Sequence, residues 1–113
     1  MGITTDRLSS LIQREVAVII NNVIKNPTVG YINITEVKVT KDLSYATIFY
    51  TVLSDEKETI ELAASVIEEK KIAIRMELAK KIRNIRKIPD LIFKYDEALA
   101  YGNKIDSILK SIK

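Results

Sequence analysis

Two segments rich in strand-forming residues, separated by a short turn, restrict how this chain can fold. The first runs from Tyr31 to Thr40 and the second from Ala46 to Val52. Between them lies Lys41-Asp42-Leu43-Ser44, in which Asp and Ser are typical turn residues. Such a short connection joins antiparallel strands, since parallel strands need a crossover of about a dozen residues or more. The sequence therefore predicts an antiparallel β-hairpin.

The apolar residues of both segments recur with the period of a strand that is buried on one face. In the second strand the alternation is regular, so Thr47, Phe49 and Thr51 are predicted to face away from the core. In the first strand the period slips once, and a bulge near Thr35-Glu36 would absorb the slip. The predicted core residues are Ile32, Ile34, Val37 and Val39 in the first strand and Ala46, Ile48, Tyr50 and Val52 in the second.

Helical spacing marks the chain before and after the hairpin. A first helix, capped by Thr5 or Asp6, is predicted to end at Lys25-Asn26-Pro27, because the residue before a proline leaves the helical region. After the hairpin, Asp55 and Glu58 have the spacing of a capping box. The apolar positions of the first helix are Leu8, Leu11, Ile12, Val16, Ile19 and Val23, and those after the hairpin are Ile60, Ala63, Ala64 and Ile67.

A charged segment, Glu68–Lys71, then interrupts the apolar pattern before a second stripe begins. One bent helix or two helices are both compatible with this interruption, and Ile72 and Met76 fit neither stripe. After Pro89, a short strand is predicted at Leu91–Tyr95, and Asp96 is placed to cap a final helical stretch. The second stripe consists of Ile74, Leu78, Ile82 and Ile85, and the final one of Ile105, Ile108, Leu109 and Ile112.

The predicted order is helix, strand, strand, helix, helix, strand and a C-terminal helix. With 113 residues and no linker, the chain is expected to form one domain, residues 1–113. The expected fold class is α+β, with a three-stranded sheet covered by helices on one face.

The amino-acid composition argues against catalysis and against metal or cofactor binding. The chain contains no Cys and no His, so Ser-His-Asp and Cys-His sites cannot form and thiolate or imidazole metal ligands are lacking. We therefore predict a protein that is not an enzyme, with no metal site and no cofactor. Catalysis by a carboxylate or a Lys alone stays compatible with the composition. The carboxylates that could suggest a magnesium site, Asp42, Asp90, Asp96 and Glu97, are better explained at turns and helix caps.

No segment predicts secretion or membrane insertion. The N-terminus lacks a cationic region followed by an apolar run, and the densest apolar stretch, Val16–Ile20, is broken by Asn21-Asn22. The protein is expected to be cytoplasmic.

Charge is segregated along the chain although the net charge is only +3. The segment Asp55–Glu69 holds six acids and one Lys, whereas the segment from Lys70 to Lys87 holds eight cations and one acid, Glu77. Such segregation creates a local positive field. The eight cations are Lys70, Lys71, Arg75, Lys80, Lys81, Arg83, Arg86 and Lys87.

On a helical wheel, Lys80, Arg83 and Lys87 form a ridge away from the apolar stripe, which suits repeated phosphate contacts. A solvated surface neutralised by the acidic segment explains the same charges. The hairpin aromatics have two explanations as well, since they can stack on bases or pack on the sheet. These aromatics are Tyr31, Tyr45, Phe49 and Tyr50.

Two segments resemble the ribosome-binding factor A family. Val37–Ile48 is similar to the family's strand, Asp-Leu turn and second strand, including Ala46 after the turn. Arg86–Glu97 is similar to its Arg-x-x-Pro-x-Leu-x-Phe-x-x-Asp run. Asn26–Gly30 resembles a third family segment, with Asn for the usual Asp and Thr for the usual Arg, and Ile74–Leu78 resembles the start of its basic helix. The resemblance extends over residues 6–112.

This resemblance implies a type II KH-like fold and a non-catalytic role in ribosome assembly. Its expected partners are the small (30S) ribosomal subunit and 16S rRNA late in maturation, with ribosomal proteins as further partners. The resemblance also implies a role in growth in the cold. The protein is expected to be a monomer without membrane contact, and the eight cations are its expected RNA-binding surface. There are two alternatives. One is a general KH-like single-stranded RNA-binding protein, and the other is a protein-interaction domain whose basic helix is merely solvated.

One segment departs from the family pattern. Lys70-Lys71-Ile72 stands where the family has an Ala-x-Gly kink between two helices. We call these three residues the joint. The glycine is replaced and two positive charges are added, so we expect Lys70 and Lys71 to compensate electrostatically for a less sharply bent joint.

Overall fold

Two helices and a three-stranded sheet make up the part of the chain that the computed structural model describes, residues 5–82 and 88–97. The elements, in chain order, are α1 (Thr5–Val23), β1 (Ile32–Val39), β2 (Tyr45–Val52), α2 (Lys57–Lys81) and β3 (Asp90–Tyr95). This order agrees with the predicted one from the first helix to the third strand, apart from the number of central helices.

The sheet has the strand order β1-β2-β3. β1 and β2 pair antiparallel, which confirms the hairpin, and their register shifts between Ile34 and Glu36, which confirms the bulge. β2 and β3 pair parallel, with α2 in the crossover between them. The side-chain hydroxyl of Thr35, at the bulge, donates to the Asp96 carboxylate at 2.6 Å and ties β1 to the end of β3.

The hairpin turn is organised by Asp42, as its residue type predicted. Its carboxylate accepts hydrogen bonds from the Thr40 hydroxyl at 2.8 Å and from the Ser44 N–H at 3.1 Å. These bonds, with that of Thr40 the largest contribution, lower the pKa of Asp42 to about 2. Leu43 follows with a positive φ of 61°, which completes the reversal.

Both helices cover the same face of the sheet. The inward-facing strand residues pack against α1 and α2, and the largest fully buried side chains include Leu8, Ile48 and Ile74. The α+β class and the type II KH-like arrangement are therefore confirmed. The buried strand residues are Ile32, Ile34, Val37, Ala46, Ile48, Tyr50, Val52 and Leu91.

The expected pair of central helices is a single helix. α2 continues from Lys57 to Lys81 through the joint, because substitution of the family's glycine leaves helix-forming residues there. The capping box predicted at Asp55 and Glu58 is wrong. Glu56 is the N-cap and has no side-chain cap, while the Ser54 hydroxyl accepts the Glu56 N–H at 3.1 Å.

The sequence-predicted C-terminal helix and Ile85 lie outside the described residues. Within residues 5–82 and 88–97, neither helix is long and apolar enough to cross a membrane.

Candidate nucleic-acid interface

Lys70 and Lys71 occupy an unusual position on α2. They lie three and four residues after Ile67 and before Ile74, both fully buried, so helical spacing places them on the core-facing side. Nevertheless Lys70 is exposed, and the side chain of Lys71 is 36% exposed with its Nζ 3.6 Å from the Glu68 carboxylate. The core-facing side of α2 is thus accessible to solvent at the joint and carries two positive charges there.

The side chain of Arg75 forms contacts within the fold. Its Nη2 donates to the carbonyl oxygen of Ile88 at 2.8 Å, and its Nε donates to that of Pro89 at 3.3 Å. The same Nε lies 3.5 Å from the Asp90 carboxylate. Arg75 therefore fastens α2 to the segment that enters β3, which leaves fewer of its donors for a phosphate.

Lys80 and Lys81 lie at the C-terminal end of α2. The Lys80 ammonium donates to the Glu77 carboxylate at 3.1 Å, and Lys81 is exposed. About ten residues of helix, roughly 15 Å along the axis, separate this pair from the joint. The remaining three predicted cations, Arg83, Arg86 and Lys87, lie outside the described residues.

Four of the five predicted cations on α2 therefore form two separate pairs, and Arg75 lies between the pairs. The basic ridge predicted through Lys80, Arg83 and Lys87 lies outside the described residues except for Lys80. Glu68 and Glu77 each neutralise part of one pair. A flexible polyanion can displace such exposed carboxylates, because exposed ion pairs contribute little free energy.

The outermost side of α2 bears two apolar side chains that had no explanation from the sequence. Ile72 is 75% exposed and Met76, one turn later, is 61% exposed. Both lie opposite the buried stripe that includes Ile74 and Leu78. Their failure to fit the apolar period was the available signal, since an off-stripe residue on a surface helix faces solvent.

The hairpin aromatics divide between the two faces of the sheet. Tyr50 is buried and meets Tyr95 edge to face at 5.9 Å between ring centroids, so it belongs to the core. Phe49 lies on the open face, with the Lys38 ammonium 5.6 Å from its ring centroid. Tyr31 and Tyr45 are about half exposed. The packing explanation therefore holds for Tyr50, whereas Tyr31 and Tyr45 remain accessible and Phe49 is partly buried.

The candidate carboxylate site is dispersed. Asp42 lies in the hairpin turn, Asp90 faces Arg75, and Asp96 is bonded to Thr35. Within residues 5–82 and 88–97, no group of three acidic side chains is close enough to hold a metal ion.

Comparison with known proteins identifies the family. The family model described as ribosome-binding factor A matches residues 4–109. The chain belongs to the ribosome-binding factor A family. Its relative in Phytoplasma mali, named ribosome-binding factor A, is 57% identical over 112 residues, which cover 99% of this chain and 98% of the relative.

Solved structures of ribosome-binding factor A share this fold. The crystal structure of the protein from Thermus thermophilus superposes with a TM-score of 0.68 at 18% identity, covering 82% of this chain and 97% of that one. A homology model of the Thermus thermophilus factor, fitted into a cryo-EM map of its complex with 30S, gives a TM-score of 0.67 at 20% identity. It covers 80% of this chain and 93% of that one.

Proposed function

We propose that this protein is a non-catalytic ribosome assembly factor that binds the small (30S) ribosomal subunit through 16S rRNA late in its maturation. It acts in the cytoplasm as one domain, residues 1–113, and supports maturation of the rRNA, above all in the cold. The observation that carries the proposal is the exposure of Lys70 and Lys71 on the core-facing side of α2. Membership of a family named for ribosome binding, with a relative fitted to a 30S complex, supports the choice of partner.

The proposed RNA-binding surface follows the charge of α2 and the segment after it. Lys and Arg contact phosphates and fix position, so recognition rests on the shape of folded rRNA rather than on base edges. Arg75 adds its charge to this surface while its donors hold the carbonyl groups before β3. The surface comprises Lys70, Lys71, Arg75, Lys80, Lys81, Arg83, Arg86 and Lys87.

Sedimentation with purified ribosomal subunits at several salt concentrations tests this function. The full chain should travel with small subunits and leave them as salt rises. In the double variant Lys70→Gln/Lys71→Gln, the slope of log affinity against log salt should become shallower by about 1.4 to 1.8, because each lost phosphate contact accounts for about 0.7 to 0.9.

The matched control removes two charges elsewhere. Lys25 and Lys57 are exposed and lie outside the basic segment, so Lys25→Gln/Lys57→Gln should leave the slope close to that of the unaltered chain. An equal loss in both double variants would show that only net charge matters. Unchanged binding after the joint substitutions would remove Lys70 and Lys71 from the site.

A general single-stranded RNA-binding protein is the second candidate. The exposed ring of Tyr45 and the partly buried ring of Phe49, with Lys38 beside the latter, favour it because bases stack on aromatic rings next to cations. It predicts that short unstructured oligonucleotides compete with small subunits at comparable concentrations. Failure of such oligonucleotides to compete would favour the assembly factor.

A further inference from the structure

In the part of the chain that the structure describes, the outer edge of β1 has a short stretch whose backbone groups lack hydrogen-bond partners. β1 lies at an edge of the sheet, and the Thr40 N–H donates to the Tyr45 carbonyl oxygen at 2.9 Å. Antiparallel pairs alternate, so Lys38 faces β2 in the same way. Val37 and Val39 therefore direct their backbone N–H and C=O groups away from β2, towards the open side.

Further towards the start of β1, side chains of α1 bind three of the outward backbone groups. Asn21 bonds both the N–H and the C=O of Ile32, each at 2.9 Å, and the Gln13 amide donates to the Thr35 carbonyl at 3.4 Å. Within residues 5–82 and 88–97, the outward backbone groups of Val37 and Val39 form no such bond.

A groove of about 590 Å³ runs beside this stretch. Its floor is the edge of β1 from Glu36 to Val39, and its opposite wall is the first half of α1. The α1 side chains in this wall are polar and mostly small: Thr5, Asp6, Ser9, Ser10 and Gln13.

We propose that this groove receives an extended peptide segment of a protein on the small subunit, which pairs with β1 as a fourth strand. The inference rests on the proposed function for the identity of the complex. An extended peptide offers N–H and C=O groups on one side at every second residue, a spacing of about 6.6 to 6.8 Å. That spacing matches Val37 and Val39. A phosphodiester chain offers acceptors at its phosphates and does not reproduce this alternation.

The walls also define which peptide fits. Side chains of the added strand alternate between the two faces of the sheet. One set faces Ser9 and Ser10, so small polar residues suit it. The other lies beside Glu36 and Lys38, where cross-strand pairs of opposite charge are favourable. The partner segment is therefore extended, with small polar residues alternating with charged ones.

Amide hydrogen exchange of the full chain tests the proposal. Exchange at Val37 and Val39 is compared in the free protein, with purified small subunits, and with protein-free 16S rRNA. The subunits should slow exchange at both amides by about tenfold or more, because paired edge amides become protected. Protein-free rRNA should not slow it.

Two substitutions separate the groove from the basic surface. Val39→Pro removes one outward N–H at a position where an edge strand tolerates proline, and Val39→Thr is its control because it retains the N–H. Ser10→Trp fills the groove without altering β1, and Asn22→Trp adds the same ring at an exposed position of α1 away from it. Val39→Pro and Ser10→Trp should weaken subunit binding by about tenfold, with the slope against salt unchanged.

The outcomes are distinct. Co-sedimentation without protection at Val37 and Val39 would overturn the groove and leave the proposed function intact. Protection by protein-free rRNA would assign the groove to nucleic acid, and protection that rises with protein concentration alone would assign it to a second copy; either overturns the proposal. Absence of co-sedimentation would refute the proposed function itself, and the assignment of the groove to a subunit protein with it.

Discussion

Asn21 on α1 binds both backbone groups of Ile32 at the start of β1. Its Nδ2 donates to the Ile32 carbonyl and its Oδ1 accepts the Ile32 N–H, both at 2.9 Å. The same Nδ2 donates to the Ala17 carbonyl at 2.9 Å. One amide side chain therefore replaces a neighbouring strand for Ile32, which is fully buried.

We predict that Asn21→Ala lowers the free energy of unfolding by about 1 to 3 kcal/mol, because partly buried backbone groups of Ile32 lose their partners. Asn22→Ala, at the exposed neighbouring position, should change it by no more than about 0.5 kcal/mol. Urea denaturation of both variants measures the difference. Equal effects at the two positions would show that the hydrogen bonds of Asn21 do not stabilise the sheet edge.

Hydrophobic periodicity was sufficient to predict the hairpin, the bulge at Thr35 and the core-facing residues of the hairpin strands. It was wrong for Ala64, which the pattern placed on the apolar stripe of α2 and which is exposed. It could not reveal the role of Asn21. In the sequence, this residue only interrupts an apolar run, and its partner Ile32 is eleven residues away. Polar contacts of this kind depend on how α1 lies across the sheet, which no local pattern encodes.

The candidate site was predicted from charge, and charge does not identify hydrogen-bond partners. Arg75 resembled its basic neighbours in the sequence, yet it bonds carbonyl groups 13 and 14 residues further along. Ile72 and Met76 were noticed as exceptions, and only the structure shows that both face solvent. The sequence likewise could not decide whether α2 is one continuous helix, since the charged Glu68–Lys71 segment is compatible with one helix or two.

Arg75 should therefore stabilise the protein more than Lys70 does. We predict that Arg75→Ala lowers the free energy of unfolding by about 1 to 2 kcal/mol, since charged hydrogen bonds to two carbonyl groups are lost and the side chain is 43% exposed. Lys70→Ala, on the same helix, should change it by no more than about 0.5 kcal/mol. Thermal or urea unfolding would contradict this assignment if the two variants were equally stable.

Loss of an apolar side chain near the joint should lower the stability of the protein much more on the buried face of α2 than on the exposed face. Ile74 is fully buried, so Ile74→Ala should cost about 2 to 5 kcal/mol of stability through lost burial and the cavity left behind. Ile72 is largely exposed, and Ile72→Ala should be almost neutral, within about 0.5 kcal/mol. Chemical denaturation compares them, and a large cost at Ile72 would mean that this side chain is covered in solution.

Asp42 should retain its negative charge to unusually low pH. The Thr40 hydroxyl contributes most to lowering its pKa to about 2, followed by the hydrogen bonds from Ser44. We predict that carboxylate NMR signals titrate near this value in the unaltered chain, and that Thr40→Val moves the pKa upwards, towards the ordinary value of 3.8. Thr51→Val, which makes the same change on the open face of β2, should not move it.

The lowered pKa of Asp42 also fixes the direction of a stability change with pH. The native state holds the Asp42 proton less tightly than the unfolded chain does, so its ionised form stabilises the fold above the unfolded pKa of 3.8. This contribution should disappear as pH falls from about 4 towards the folded pKa of about 2. Asp42→Asn keeps a side-chain acceptor but has no charge to lose. Urea denaturation at several pH values should therefore show the two proteins converging below about pH 4, and curves that stay parallel would exclude Asp42 as the titrating group.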